Sequence, residues 1–163
     1  MTKAIPVEVA DAIAEELRAH TFTLKPETIH RGYIQDRDLF LSAASDLRLD
    51  VVVSDCTTEP ASQEDTIYHC TTDIAVRKRF AAAERNADDG KIDEAEIDRL
   101  ILLVQEIHDY FSRSSVAMSG RVLSQYNEAI YEGVEFRPIY DGPTLRENQQ
   151  FTGIVSVTFK VYE

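Results

Sequence analysis

The sequence predicts a single α+β domain over residues 1–163, with a mostly antiparallel or mixed β-sheet and helices packed on one face. Three observations predict this class. Four segments alternate apolar and polar residues as strands do, and two others space their apolar residues as helices do. No Gly-rich turn joins a strand to a helix, which disfavours a doubly wound nucleotide-binding fold. A chain of 163 residues also suits a single core.

Composition excludes several functional classes. The chain has 17 Lys and Arg against 29 Asp and Glu, a net charge of −12, which disfavours binding nucleic acid through its phosphates. No apolar run approaches the roughly 20 residues that span a bilayer. The N-terminus lacks the apolar core of a secretory signal, so we expect a cytoplasmic protein. Two cysteines cannot build a disulfide framework.

The first predicted element is a helix over about residues 6–19, and Pro6 suits its first turn. Its apolar residues recur every four positions and are Val9, Ile13 and Leu17. A strand is expected over about residues 47–54, where Leu47, Leu49, Val51 and Val53 share a face. The polar run 55–65 that follows is expected to be an exposed loop.

A long strand is predicted over about residues 67–78. The residues expected on its apolar face are Tyr68, Cys70, Thr72, Ile74 and Val76, and those expected on a wet face are His69, Thr71, Asp73 and Arg77. The main helix is predicted over about residues 93–113. Its apolar stripe comprises Ile97, Leu100, Ile101, Val104, Ile107, His108 and Phe111. Acidic residues in its first turn suit the helix dipole.

Two further strands are predicted near the end of the chain. One covers about residues 129–140, with Ile130, Val134 and Phe136 expected on one face. A turn is expected at Asp141-Gly142-Pro143. The last strand covers about residues 151–162, where apolar residues alternate with Thr, Ser and Lys.

The segment 85–96 partly matches a calcium-binding EF-hand loop. Gly90, Ile92 and Glu96 occupy the expected sixth, eighth and twelfth positions. Arg85 and Ala87, however, stand where the first and third ligands should be, and an arginine repels a cation. An acidic loop that leads into a helix explains the same residues. A calcium-dependent binding module using this loop remains an alternative from a different functional class.

No candidate for catalysis or for a structural metal emerges. Of Cys56, His69 and Cys70, only the last two are adjacent, and neighbours on a strand point to opposite faces, so Cys70 is expected to be a small core residue. None of the four histidines lies in a recognisable nucleophile or base motif. We therefore predict a protein that is not an enzyme and needs no cofactor or metal, with a small hydrolase as a remaining alternative.

A basic cluster ends the long central strand at Arg77-Lys78-Arg79, and Arg85 follows it. Two interpretations remain open: a solvated strand end, or a surface for an acidic partner or a second copy of the chain. The candidate residues for a subunit or partner interface are Arg77, Lys78, Arg79, Arg85, Asp88 and Asp89. A strand at a sheet edge can likewise be closed by a neighbouring subunit.

Taken together, the second half resembles the tail terminator, or tail completion, proteins of long-tailed bacteriophages and prophages. The strand Tyr68–Lys78 is similar to the family's central strand, and the acidic linker Asp88-Asp89-Gly90 follows it. The helix segment Glu96–Ile107 and the closing segment Leu145–Val161 are similar to the family's main helix and terminal strand. The resemblance covers order and spacing from about Leu47 to Val161.

The resemblance implies a structural role in the virion's tail or neck, with assembly in the host cytoplasm. Such proteins form a ring, usually hexameric, that caps the tail tube, stops its polymerisation and offers a surface for the head-side connector. The implied partners are further copies of the chain, the tail tube protein and a connector or neck protein, with no membrane. DNA would pass through a negative lumen without binding. A head-closure or adaptor protein is the alternative within this class.

Overall fold

The computed structural model describes residues 2–32, 47–80, 92–113 and 122–163. These residues form one mixed sheet of six strands, curved as a half-barrel, and three helices. The helices are α1 (Ile5–Ala19), α2 (Glu94–Arg113) and α3 (Gly142–Asn148). The strands are β1 (Thr28–Gly32), β2 (Arg48–Pro60), β3 (Thr66–Arg79), β4 (Val122–Leu123), β5 (Tyr126–Phe136) and β6 (Gln150–Tyr162).

The strand order is β1-β2-β3-β6-β5-β4, with β3 and β6 in the middle of the sheet. β1 runs parallel to β2, and the other neighbouring pairs are antiparallel. α1 packs on β1, β2 and β3, whereas α2 packs mainly on β6 and β5. The predicted α+β class, with a mixed sheet backed by helices, is confirmed.

The core lies between the helices and one face of the sheet. From α2 it receives the predicted residues Leu100, Val104, Ile107 and Phe111, together with Leu103, all at most 1% exposed. From α1 it receives Val9, Ile13 and Leu17, as the four-residue spacing predicted. Alternate residues of β3 and β6 complete it, so the apolar faces predicted for these two long strands are confirmed.

α1 is also held to the rest of the domain by a buried carboxylate. Glu16 accepts hydrogen bonds from the Ser124 backbone N–H (2.7 Å) and hydroxyl (2.5 Å), and from the Tyr110 hydroxyl (2.6 Å). Burial alone would raise the pKa of Glu16, but these donors outweigh it and hold the pKa below its ordinary value. One side chain thus joins α1, α2 and the β4–β5 turn.

The prediction of a loop over residues 55–65 is wrong for residues 55–60, because β2 continues to Pro60. Its polar end pairs with the start of β3 from Cys56–Cys70 to Pro60–Thr66, and only the segment 61–65 makes the turn. Residues 57–60 are exposed, so no apolar alternation marked them as a strand. Backbone pairing with β3, which requires no apolar side chain, extends the strand.

β5 begins and ends earlier than predicted, at Tyr126 and Phe136. An irregularity between Tyr131 and Gly133 also shifts the register against β6. Ile130 pairs with Lys160, whereas Val134 pairs with the core residue Val157. The expectation that Ile130 and Val134 share a face is therefore wrong, because the extra residue inverts the alternation between them.

Three elements were not predicted: β1, β4 and α3. β1 is short and pairs in parallel with β2, and β4 has two residues. α3 begins where the sequence predicted a turn. Asp141 caps it by accepting hydrogen bonds from the Thr144 backbone N–H (3.3 Å) and hydroxyl (2.8 Å), and a proline lies in its first turn.

Candidate interaction site

Arg77 does not belong to the predicted surface cluster. It is only 2% exposed, and its guanidinium lies 3.4 Å from the carboxylate of Asp50 on β2, which is also 2% exposed. Arg48 approaches the other oxygen of Asp50 at 2.7 Å. Because Arg77 is buried in the single chain, it serves the fold, and its assignment to an interface and to a wet face is corrected.

Lys78 and Arg79 lie at the end of β3 and are half-buried. They pair in register with Phe151 and Gln150, the first residues of β6. The Lys78 ammonium lies 5.5 Å from the centre of the Phe80 ring, so its stem covers apolar surface while its charge stays near the sheet end. We call Lys78 and Arg79 together the basic end.

The remaining candidates, Arg85, Asp88 and Asp89, lie outside the described residues, as does most of the calcium-like segment 85–96. Within the described part, the Asp93 side chain accepts a hydrogen bond from the Ala95 backbone N–H (3.1 Å) at the start of α2. The Glu96 carboxylate accepts one from Arg99 (3.0 Å). Both carboxylates therefore have roles in beginning and bracing the helix.

A groove of about 790 Å³ opens at the other end of the sheet, beside the start of α1 and the end of β6. Ile5, Tyr126, Val161 and Tyr162 supply apolar surface. The carboxylates that line it, which define the acidic groove, are Glu8, Asp11, Glu15, Glu128 and Glu163; of the described residues in the lining, Lys3 is the one that is basic. An extended basic segment with aliphatic stems fits such a surface.

Two carboxylates of the acidic groove have cationic partners among the described residues, Asp11 and Glu15, and the partner of Glu15 is Arg18 (2.5 Å). Asp11 binds Lys3 (2.6 Å) and Arg31 (2.8 Å); although burial opposes the shift, these cations hold the pKa of Asp11 below its ordinary value. Burial, followed by the nearby Glu8 carboxylate, raises the pKa of Tyr126 to about 12. The Tyr126 hydroxyl therefore lies partly buried and close to carboxylates of the groove.

Sequence reasoning missed the acidic groove, although one signal was available. Glu8, Asp11 and Glu15 recur at helical spacing and form an acidic stripe along one side of α1. Glu128 and Glu163 reach the same place through the pairing of β5 with β6, which the local sequence does not reveal.

A second charged cluster crosses the outer face of the sheet. His69 on β3 contacts Glu132 on β5 through Nδ1 (2.8 Å) and Glu59 on β2 through Nε2 (3.1 Å). Hydrogen bonding to Glu132, then to Glu59, raises the pKa of His69 despite an opposing effect of burial. No group of three His, Cys, Asp or Glu side chains is placed to hold a metal within residues 2–32, 47–80, 92–113 and 122–163.

Comparison with protein-family models gives no match, and comparison with curated proteins gives none either. Across the described ranges, no helix has the length and apolar character that a membrane crossing requires.

Proposed function

We propose that this chain is a structural assembly protein of a phage tail or neck. In this proposal it acts as a tail terminator: copies form a ring that caps the tail tube, stops its polymerisation and offers a surface to the head-side connector. The resemblance across the central strand, main helix and last strand supports it. These segments correspond to β3, α2 and β6, which pack against one another in the described domain.

The observation that best supports the proposal of self-assembly is that a basic surface and an acidic surface lie at opposite ends of the sheet. The basic end lies beside Gln150, where β6 begins, and the acidic groove contains Tyr162, where β6 ends. β6 has 13 residues, so at about 3.3 Å per residue the two ends lie roughly 40 Å apart. Complementary surfaces on opposite ends of a subunit favour a head-to-tail contact, which produces a ring when its rotation closes.

An open strand edge is a second supporting feature. β1 covers the outer edge of β2 only from Arg48 to Val52, and no other described strand lies beside the stretch from Val53 to Pro60. Asp55 and Glu59 lie on this stretch, and their negative charges disfavour pairing with the same edge of another copy or with any other acidic strand. A basic segment of a neighbouring copy is the complementary partner.

The net charge agrees with a channel for DNA. Each copy adds −12, so a ring carries a strongly negative total charge. A negative wall repels the duplex phosphates, and DNA can then pass without adhering. A head-closure or adaptor protein would share this property, and the partner distinguishes the two: a terminator binds the end of the tail tube.

The proposal can be tested by native mass spectrometry over a concentration series. We expect a discrete multiple of the 18.4 kDa chain, and Lys78→Glu combined with Arg79→Glu should shift the population to the monomer. Lys25→Glu combined with Arg99→Glu is the control for net charge, because it changes the charge equally at two exposed positions away from the basic end. Assembly that is equally strong in both double variants would contradict the head-to-tail contact.

A further inference from the structure

The two cysteines of the chain lie directly opposite each other on neighbouring strands. Cys56 on β2 pairs in register with Cys70 on β3, and their Sγ atoms are 3.5 Å apart. Both are free thiols, Cys70 buried and Cys56 half-buried. The sequence gives no hint of this contact, because fourteen positions separate the two residues.

A β-bulge creates the pairing. The register of β2 against β3 shifts between Val53 and Asp55, so that Asp55 lies opposite Thr71 and Cys56 lies opposite Cys70. Without the extra residue, Asp55 would occupy the position opposite Cys70, on the side of the sheet that packs into the core. The bulge thus keeps a carboxylate out of the core and brings the two sulfur atoms together.

We propose that Cys56 and Cys70 form a reversible disulfide site that reacts with low-molecular-mass disulfides such as oxidised glutathione. Directly opposite residues in antiparallel strands have Cβ atoms about 4.5–5.5 Å apart, close to the about 3.5–4.5 Å of a disulfide. Side-chain rotation and a small approach of the strands can therefore bring the sulfurs to bonding distance. This site is independent of the proposed role in tail assembly.

The difference in burial sets the order of the two steps. Cys56 is half-buried on the edge portion of β2, so its thiolate attacks one sulfur of oxidised glutathione, forming a mixed disulfide and releasing one glutathione thiolate. Cys70, at 1% exposure, is closed to the external disulfide. Its sulfur instead attacks Sγ of Cys56, forming the protein disulfide and releasing the second glutathione.

The reaction balances in electrons and protons. The two cysteine thiols give up two electrons in total, and oxidised glutathione accepts them as its disulfide bond breaks. The protons of Cys56 and Cys70 pass through solvent to the two glutathione thiolates. Burial, followed by the hydrogen bond with Cys56, raises the pKa of Cys70 to about 12, so little of Cys70 is present as the reactive thiolate. The second step therefore depends on the short distance, 3.5 Å, between the Cys70 and Cys56 sulfur atoms.

The test exposes the folded full-length chain to oxidised glutathione and measures its intact mass, followed by a non-reducing peptide digest. We expect loss of two hydrogen atoms, a Cys56–Cys70 cross-linked peptide, loss of both titratable thiols together, and recovery of both with reduced glutathione. Cys70→Ser should instead accumulate a glutathione adduct on Cys56. Cys56→Ser should gain neither an adduct nor a disulfide while it stays folded.

Three results would overturn the proposal: a lasting glutathione adduct on wild-type Cys56, a disulfide between two chains, or thiols that remain reduced in the folded wild type while the urea-unfolded chain oxidises. A second probe is phenylarsine oxide, whose arsenic binds two thiols at once. Folded wild-type protein should retain the arsenical after dilution, and each single Ser variant should lose it. Equal retention by the wild type and both variants would also contradict a paired site.

Discussion

Arg77 and Asp50 form a buried ion pair across β2 and β3, with 3.4 Å between the guanidinium nitrogen and a carboxylate oxygen. Arg48 contacts the second oxygen of the same carboxylate at 2.7 Å. Asp50 and Arg77 are 27 positions apart in the sequence and nearly opposite in the strand register, where Arg48 pairs with Arg77. This contact is why part of an apparently basic surface cluster lies inside the fold.

Replacing Arg77 with Met should destabilise the domain strongly. The change removes the guanidinium beside one oxygen of Asp50 and leaves Arg48 on the other. Loss of one partner by a buried polar group costs about 1–3 kcal/mol of unfolding free energy. Urea denaturation gives this value. Arg99→Met is the control, because Arg99 contacts Glu96 on the surface with 61% exposure and should cost only about 0–1 kcal/mol. Equal losses in the two variants would contradict the buried pair.

Leu100 and Leu102 of α2 lie on different faces of the helix, Leu100 on the core face and Leu102 on the exposed face. Leu100→Asp should unfold the domain, because residue 100 is 1% exposed and the new charge would have no described partner there. Leu102→Asp should leave melting nearly unchanged, since Leu102 is 44% exposed. Circular dichroism melting curves test both. A Leu100→Asp protein that melts like the wild type would mean that the helix turns another face to the core.

Replacing Gly153 or Gly133 of the sheet with alanine should affect the free energy of unfolding differently. A Cβ at Gly153 would lie 2.5 Å from the Ile139 carbonyl oxygen and 2.7 Å from a Val104 methyl carbon. We expect Gly153→Ala to cost about 1–3 kcal/mol or more through overpacking. Gly133→Ala meets nothing within 4 Å and should be nearly neutral. Urea denaturation of both variants checks the prediction, which a neutral Gly153→Ala would refute.

Glu16 should contribute a pH-dependent part of the stability. Because its pKa is lower in the folded chain, its contribution is present above the ordinary value of 4.5 and disappears as the pH falls through the folded pKa. Glu16→Gln should therefore be less stable than the wild type at pH 7, and the gap should close in acid. Urea midpoints between pH 7 and pH 3 measure it. A gap that stays constant would show that the carboxylate charge is not involved.

Local sequence patterns predicted the helices and strands in which core residues recur at a regular period, 3.6 residues in a helix and two in a strand. α1, α2, β3 and β6 were predicted because Val9, Leu100, Ile74 and Val157 each recur with apolar neighbours at a single period. The capping signal for α3 was also present, since Asp141 precedes Pro143 and Thr144, but these residues indicate a turn equally well. These parts of the fold depend on nearby residues.

The remaining features depend on distant pairing. Both register shifts, at Val53/Asp55 and at Tyr131/Gly133, arise where two strands meet, and each changes which side chains face the core. The burial of Arg77 requires Asp50 on another strand. In the candidate interaction site, the basic end was predictable from the sequence, because Lys78 and Arg79 are consecutive basic residues. The acidic groove was not, because pairing in the sheet brings its parts together.

The most direct test of the central claim, a head-to-tail contact between the basic end and the acidic groove, is a mixing experiment. One variant carries Lys78→Glu and Arg79→Glu. The other carries Glu8→Lys, Glu15→Lys and Glu128→Lys, which change the charged lining of the groove from five carboxylates and one lysine to two carboxylates and four lysines. We expect each to remain monomeric alone, and an equimolar mixture to form rings visible by electron microscopy, because each variant supplies the surface that complements the other. A mixture that stays monomeric beside a wild type that forms rings, or a wild type that forms none, would contradict the account.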